Sequence, residues 1–146
     1  MNPVKIVLDH DDAKEPLYAT DGSACFDFFS AESGIIRPGK SLIFDTGVIM
    51  EVPEEHVLLV FPRSGHGFKS DVRLSNCVGV IDSDYRHHIK VKLISDVSSV
   101  LEVSVGDRIA QGMILPYPKI QFNVVQSTVE LSDAGNRTGG MGSTGK

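Results

Sequence analysis

The run Gly79-Val80-Ile81-Asp82-Ser83-Asp84-Tyr85-Arg86-His87-His88-Ile89-Lys90-Val91-Lys92-Leu93-Ile94 sets the reading of this chain. It begins apolar, tightens into an acidic turn, and returns through a clean period-two alternation from Ile89 to Ile94. That alternation is the signature of a half-buried strand. Two carboxylates and a phenol fall within positions 82–85. A turn needs Gly, Asp or Ser for its backbone geometry. It does not need Tyr85, nor the Arg86-His87-His88 that follows. The surplus chemistry marks a site: a carboxylate to accept a proton, a ring to hold a ring, and a strand returning behind them.

The same short-period alternation recurs outward from this hairpin. Strands are expected at Val4–Leu8, from Ile35 into a turn at Pro38-Gly39, from Ser41 to Met50, and from Val57 to Phe61 after the break at Pro53–His56. Others are expected at Val100–Val103, Arg108–Leu115 and Ile120–Val125. The best candidate for a helix is a short one near Ser64–Lys69, just after Pro62. Short strands punctuated by turn residues predict an all-β sandwich, barrel or jelly roll.

The chain has 146 residues, 41% hydrophobic and 23% charged, which suits one soluble domain with a real core. Its longest apolar runs are too short to span a bilayer. Met1–Lys5 lacks a signal-peptide pattern, so a cytoplasmic location without a membrane partner is expected. The net charge of −5 argues against a nucleic-acid polymer as partner, though not against a small phosphorylated substrate. Cys25 and Cys77 have neither disulfide-framework nor zinc spacing and are expected as buried small apolar residues. Residues 1–131 read as the β domain. Residues 132–146, rich in glycine, cannot fold alone and read either as a frayed tail or as an arm that closes on a ligand.

Other candidate groups are each modest. Arg63-Ser64-Gly65 follows Pro62 at a strand end and makes a workable phosphate cradle. Asp107-Arg108 reads as a turn with a surface ion pair of little energetic consequence. Gln111 reads as a strand residue whose amide can reach a ligand. Asp27, between Phe26 and Phe28, lies on the opposite strand face from them, free to face solvent, pair with an Arg or touch a metal's water shell. Asp9–Asp12 reads as a solvated loop, and His87 and His88 as residues on opposite strand faces.

The order of these groups is the stronger signal. Ala24–Asp27, Pro62–Gly65, Gly79–Arg86, Gly106–Gln111 and Gly139–Gly145 together resemble the five motifs of the trimeric deoxyuridine triphosphatases, across nearly the whole chain. The resemblance implies a jelly-roll-like distorted β-barrel, a homotrimer with active sites at subunit interfaces, and hydrolysis of dUTP to dUMP and pyrophosphate. That reaction lowers dUTP and supplies dUMP for thymidylate synthesis. By position, Asp82 would be the general base. Arg63, Ser64, Gly65 and Gln111 would bind phosphates. Asn76, Gly79, Val80 and Ile81 would read uracil, and Tyr85 would exclude a ribose 2′-OH. Arg137, Met141, Gly142 and Ser143 would come from the arm. Mg²⁺ would be the cofactor, held mainly by the triphosphate, with Asp27 touching it only through water. The chain departs from the pattern at Cys25, at His87-His88, at Met141 where Phe is usual, and at Asn136, where the family's Arg falls one residue later as Arg137. A dCTP deaminase-like enzyme and a catalytically weak nucleotide-binding regulatory trimer are the alternative readings.

Overall fold

The computed structural model describes residues 3–96 and 100–132, with Gly135 and Gly140. Among these residues the chain forms β1 (Ile6–Leu8), β2 (Phe26–Phe29), β3 (Gly34–Ile36), β4 (Ser41–Asp45), β5 (Val48–Met50) and β6 (His56–Phe61). Helix α1 (Ser64–Ser70) follows, then β7 (Val72–Leu74), β8 (Gly79–Ile81), β9 (Lys90–Ser95), β10 (Leu101–Val103), β11 (Arg108–Pro116) and a 3-10 turn at Thr128–Glu130. Every strand pairing is antiparallel. One sheet has the order β2-β11-β6-β8 and another β4-β9-β7, with two-stranded pairs β1-β5 and β10-β3. The architecture is the expected all-β, jelly-roll-like one with a single short helix among the described residues.

Alternation decides which side chains meet. Phe26 and Phe28 point inward from β2 while Asp27 and Phe29 face out, and Val91, Leu93 and Ser95 point inward from β9 between the exposed Lys90 and Lys92. Phe26, Phe28, Val91 and Leu93 join Phe44, Leu58, Ile89 and Ile109 in one apolar core. Each large side chain buried this way stabilises the fold by roughly 1.5–3 kcal/mol. Gly112 on β11 lets the sheet and core close. A Cβ there would stand 2.8 Å from both Phe26 and Phe28 and 3.1 Å from Leu58.

Several sequence-based expectations change. The strand expected over Ser41–Met50 breaks at Thr46-Gly47, where Gly47 takes φ 65°. There Asp45 Oδ1 accepts from the Gly47 N–H at 2.7 Å, and the buried Thr46 Oγ1 donates to the Ile89 carbonyl at 2.7 Å. The break lets β4 join β9 while β5 joins β1. Ile120–Val125 forms no strand: its alternation is genuine, but no segment of this chain pairs with it among the described residues, and Phe122 and Val124 are 83% and 93% exposed. Cys77 is exposed at φ 65° rather than buried, whereas Cys25 is half-buried, its thiol pKa raised by burial and then by the nearby Asp27. The β7 strand and the 3-10 turn were not legible in the sequence pattern. Of the expected arm only Ser132, Gly135 and Gly140 are described; Asn136, Arg137, Met141, Gly142 and Ser143 lie outside the described residues.

Candidate functional site

Two separate groups of side chains emerge. The first gathers at one end of the four-stranded sheet. Gln111 on β11 pairs directly with Asp27 on β2 and with Phe61 at the end of β6, so Asp27 and Gln111 project from the same face. The half-buried Asp27 carboxylate lies 3.3 Å from Arg108 Nη1 and 3.6 Å from Arg63 Nε. Arg63 Nη1 also donates to the Arg108 carbonyl at 3.0 Å, and Gln111 Nε2 donates to the Pro62 carbonyl at 2.9 Å. These bonds fix the chain as it leaves β6. Ser64 then opens α1 with an exposed hydroxyl, beside Gly65.

Arg108 was not read from the sequence as a site residue. Its neighbour Asp107 suggested a local ion pair, but Asp107 Oδ2 instead accepts from the Ser104 N–H at 2.8 Å within the turn. Arg108 turns to Asp27, 81 residues away in sequence. His66 also gathers here: with Arg63, Glu102, Val103, Asp107 and Arg108 it lines a cavity of about 310 Å³. Burial and then the nearby Arg63 guanidinium hold its pKa below the ordinary histidine value.

The second group sits where strands diverge. β8 joins β6 in one sheet, while β7 before it and β9 after it belong to the other. A cavity of about 320 Å³ opens between them, lined by Asn76, Gly79, Val80 and Ile81 with Ser75 and the strand Lys90–Lys92. Because β8 is an edge strand, half of its backbone N–H and C=O groups face away from β6 without a ladder partner. Asn76 Nδ2 lies at the same opening, 3.8 Å from where a Cβ on Gly79 would stand. The sequence-derived residues Asn76, Gly79, Val80 and Ile81 are thus brought together, with Lys90, Lys92 and Ser75 added by the fold.

The turn after β8 closes through the Tyr85 N–H to the Asp82 carbonyl at 3.2 Å. Asp82 is exposed, and its carboxylate makes no hydrogen bond or ion pair among the described residues. No side-chain hydrogen bond from Asp84 braces the turn among the described residues. Arg86 braces it, donating to the carbonyls of Ser83 at 2.7 Å and Tyr85 at 3.0 Å. The Tyr85 ring stands edge-on to His87 at 5.6 Å, and its hydroxyl donates to the His88 carbonyl at 3.1 Å. His87 and His88 belong to this loop, not to a strand.

The two groups are far apart within one chain. Asp82 follows Ile81, which pairs with Leu58 near the start of β6, whereas Gln111 pairs with Phe61 at its end. The strand rise and three inter-strand spacings put Asp82 about 20 Å from Asp27. A larger cleft, about 700 Å³ and lined by Val4, Ile6, Tyr18, Phe26, Met50 and Met113 among others, contains neither group.

An edge-strand cavity at a sheet corner and a charged cluster at the strand ends, carried on a small all-β jelly-roll-like domain, define the class of protein. A family model described as dUTPase matches residues 11–145, so the chain belongs to the dUTPase family. It is 41% identical over 143 residues to the deoxyuridine 5′-triphosphate nucleotidohydrolase of Clostridium tetani, covering 98% of this chain and 97% of that one. It is 39% identical over 143 residues to the enzyme of the same name from Nautilia profundicola, covering 98% and 99%. In fold it is similar to a variant dUTPase of Staphylococcus bacteriophage 80alpha solved with dUpNHpp, with TM-score 0.87, 21% identity and full coverage of both chains. It is also similar to a variant dUTPase from phage phi11 of S. aureus, described with a structural Mg(II) ion, with TM-score 0.79, 22% identity and coverage of 86% of this chain and 98% of that one.

Proposed function

We propose that this protein hydrolyses dUTP to dUMP and pyrophosphate, removing dUTP and supplying dUMP. The observation that carries the reading, beside family membership, is the edge-strand cavity with Asn76 at its mouth. A fixed row of backbone donors and acceptors pairs with uracil's edge and meets the wrong pattern on cytosine. Buried polar groups left unpaired make that discrimination strong. A hairpin closing on the base would reject a thymine methyl sterically, and the Tyr85 ring, held by its hydroxyl, would pack on deoxyribose where a 2′-OH would clash.

Asp82 is the general base. Its carboxylate is exposed and without a hydrogen bond or ion pair among the described residues, suited to taking a proton from the water that attacks the α-phosphorus. Arg63, Ser64 and Gln111 hold phosphate oxygens, and Arg108 adds a cation that the resemblance had not named. The Asp27 carboxylate keeps both guanidiniums in place.

Mg²⁺ fits this arrangement as an ion carried by the substrate. No group of three or more His, Cys, Asp or Glu side chains among the described residues makes a cage, and Asp27 is already engaged by two arginines. Asp27 would reach the ion only through water, and Mg²⁺ when bound would neutralise charge on the triphosphate.

The separation of about 20 Å between Asp82 and Asp27 supports a homotrimer, in which one subunit's hairpin meets the strand ends of its neighbour. The unpaired alternation at Ile120–Val124 supports the same assembly, since exposed apolar residues of this kind need a partner surface. Residues 132–146, including Arg137, Met141, Gly142 and Ser143, would close over the bound nucleotide as an ordering arm.

The test is pyrophosphate release from dUTP, dCTP, dTTP and UTP with Mg²⁺. Rapid release from dUTP alone is expected. Equal release from all four would end the specificity reading, and ammonia from dCTP would favour a deaminase.

A further inference from the structure

His88 departs from the family pattern, and the fold gives it an unusual position. Its Nδ1 lies 3.1 and 3.0 Å from the two oxygens of Asp45, and its Nε2 lies 3.0 Å from Asp9 Oδ2. One ring thus bridges the residue after β1, the end of β4 and the loop that carries Asp82 and Tyr85. The backbone of that loop is otherwise lightly held. Among the described residues, no backbone hydrogen bond ties residues 86–88 to the rest of the fold; the next is the Ile89 N–H to Val48. The His88 carbonyl is the group that accepts the Tyr85 hydroxyl.

We propose that His88 is a positioning residue for sugar discrimination: its ring, held between Asp45 and Asp9, fixes the carbonyl that anchors the Tyr85 hydroxyl. The inference rests on the reading of Tyr85 as the residue that excludes a ribose.

Both ring nitrogens donate only in the imidazolium form, so both links together require a protonated His88. The surroundings favour that form. The Asp9 carboxylate and then Asp45 raise the His88 pKa above its ordinary value. Lys90 Nζ, 3.4 Å from Asp45 Oδ2, competes for the same carboxylate, and Glu32 faces the Asp45 amide rather than the ring. His10 Nδ1 accepts from the Asp12 N–H, and Arg86 is turned toward the Ser83 and Tyr85 carbonyls. Raising the pH through the elevated His88 pKa removes one ring proton. A nitrogen lone pair then faces a carboxylate, and one link opens. Asp9, the more exposed partner, is the one expected to separate.

The experiment compares dissociation constants of deoxyuridine and uridine 5′-diphosphates with Mg²⁺, by calorimetry across pH. Phosphate and uracil titrations are shared by the two ligands and cancel in the ratio. For the wild type the preference for the deoxy ligand is expected to fall about tenfold from about pH 6 to about pH 9. His88→Gln should give a weaker preference that no longer varies with pH. Asp9→Asn, at an exposed position, should move the midpoint of the profile to lower pH, which keeps the test intact if His88→Gln does not fold. A flat wild-type ratio, the same pH profile in His88→Gln, or an unmoved midpoint in Asp9→Asn would each overturn the inference while leaving dUTP hydrolysis standing. Failure of both ligands to bind at any pH would remove the nucleotide reading and this inference with it.

Discussion

Gln111 Nε2 donates a 2.9 Å hydrogen bond to the carbonyl of Pro62, the residue before Arg63. That bond joins the centre of β11 to the strand end from which Arg63 and Ser64 project. Gln111 also stands directly opposite Asp27 across the β2–β11 ladder. Its amide is therefore partly spent on holding the protein, leaving its oxygen and one N–H for other partners. Gln111→Leu should lower stability by about 1 kcal/mol and raise KM for dUTP roughly tenfold. Gln111→Glu should be worse, about a hundredfold in kcat/KM, because it sets a second carboxylate opposite Asp27 and beside phosphates. Steady-state kinetics with urea unfolding check both. A Gln111→Glu enzyme with wild-type kinetics would remove this residue from phosphate binding.

The Asp82 carboxylate is exposed and makes no hydrogen bond or ion pair among the described residues, so Asp82→Asn should keep the wild-type Tm while losing about 10²–10⁴-fold in kcat. Arg63→Ala should also be nearly inactive. If the two residues act from different subunits, co-refolding the two inactive variants at equal amounts should restore intact sites in about one quarter of positions. Activity that never exceeds that of the separate variants would count against a site shared between subunits.

Gly112→Ala should destabilise the chain by about 1–3 kcal/mol, because the new methyl meets two buried rings and Leu58 rather than flexible surface. A shift in urea midpoint without a change in slope is the expected signature. An unchanged midpoint would mean that Phe26 and Phe28 yield more easily than their burial suggests.

The Asp45–His88 contact has a defined pH window. Partial burial opposes ionisation of Asp45, but the Gly47 N–H, His88 and Lys90 together outweigh it and hold the pKa below the ordinary carboxylate value. Its contribution is therefore present above that ordinary value and lost as pH falls through the lowered one. His88 has the opposite sign: its contribution is present below the ordinary histidine value and lost as pH rises through the raised one. Tm should therefore be highest between these limits. Asp45→Asn should flatten the profile on both sides, measured by thermal unfolding from acid to mildly alkaline pH. A variant with the wild-type profile would show that this contact does not govern the pH dependence.

Much of this was legible in the chain itself. Period-two alternation and turn residues gave most strands, because side-chain direction in a strand follows from local geometry. Residue order marked the Asp82–Tyr85 turn and the Pro62–Gly65 cradle. The alternation at Ile120–Val125 predicted a strand that does not form, because a strand needs a partner and the described chain offers none. Gly47 was readable as a glycine but not as the point where β4 and β5 part company.

The tertiary structure decided which groups meet. Arg108 sits beside Asp107 in sequence but pairs with Asp27, since antiparallel register brings β2 and β11 together across 81 positions. His87-His88 looked like an unexplained departure; the fold turns His88 into a bridge between Asp9 and Asp45, two residues far apart in sequence. The separation of Asp82 from Asp27 likewise exists only once the sheet order is known. Residue types and local spacing are fixed along the chain, so the sequence determined the chemistry available and the strands that carry it. Long-range register and sheet divergence are set by packing, so only the fold decided how that chemistry is divided and held.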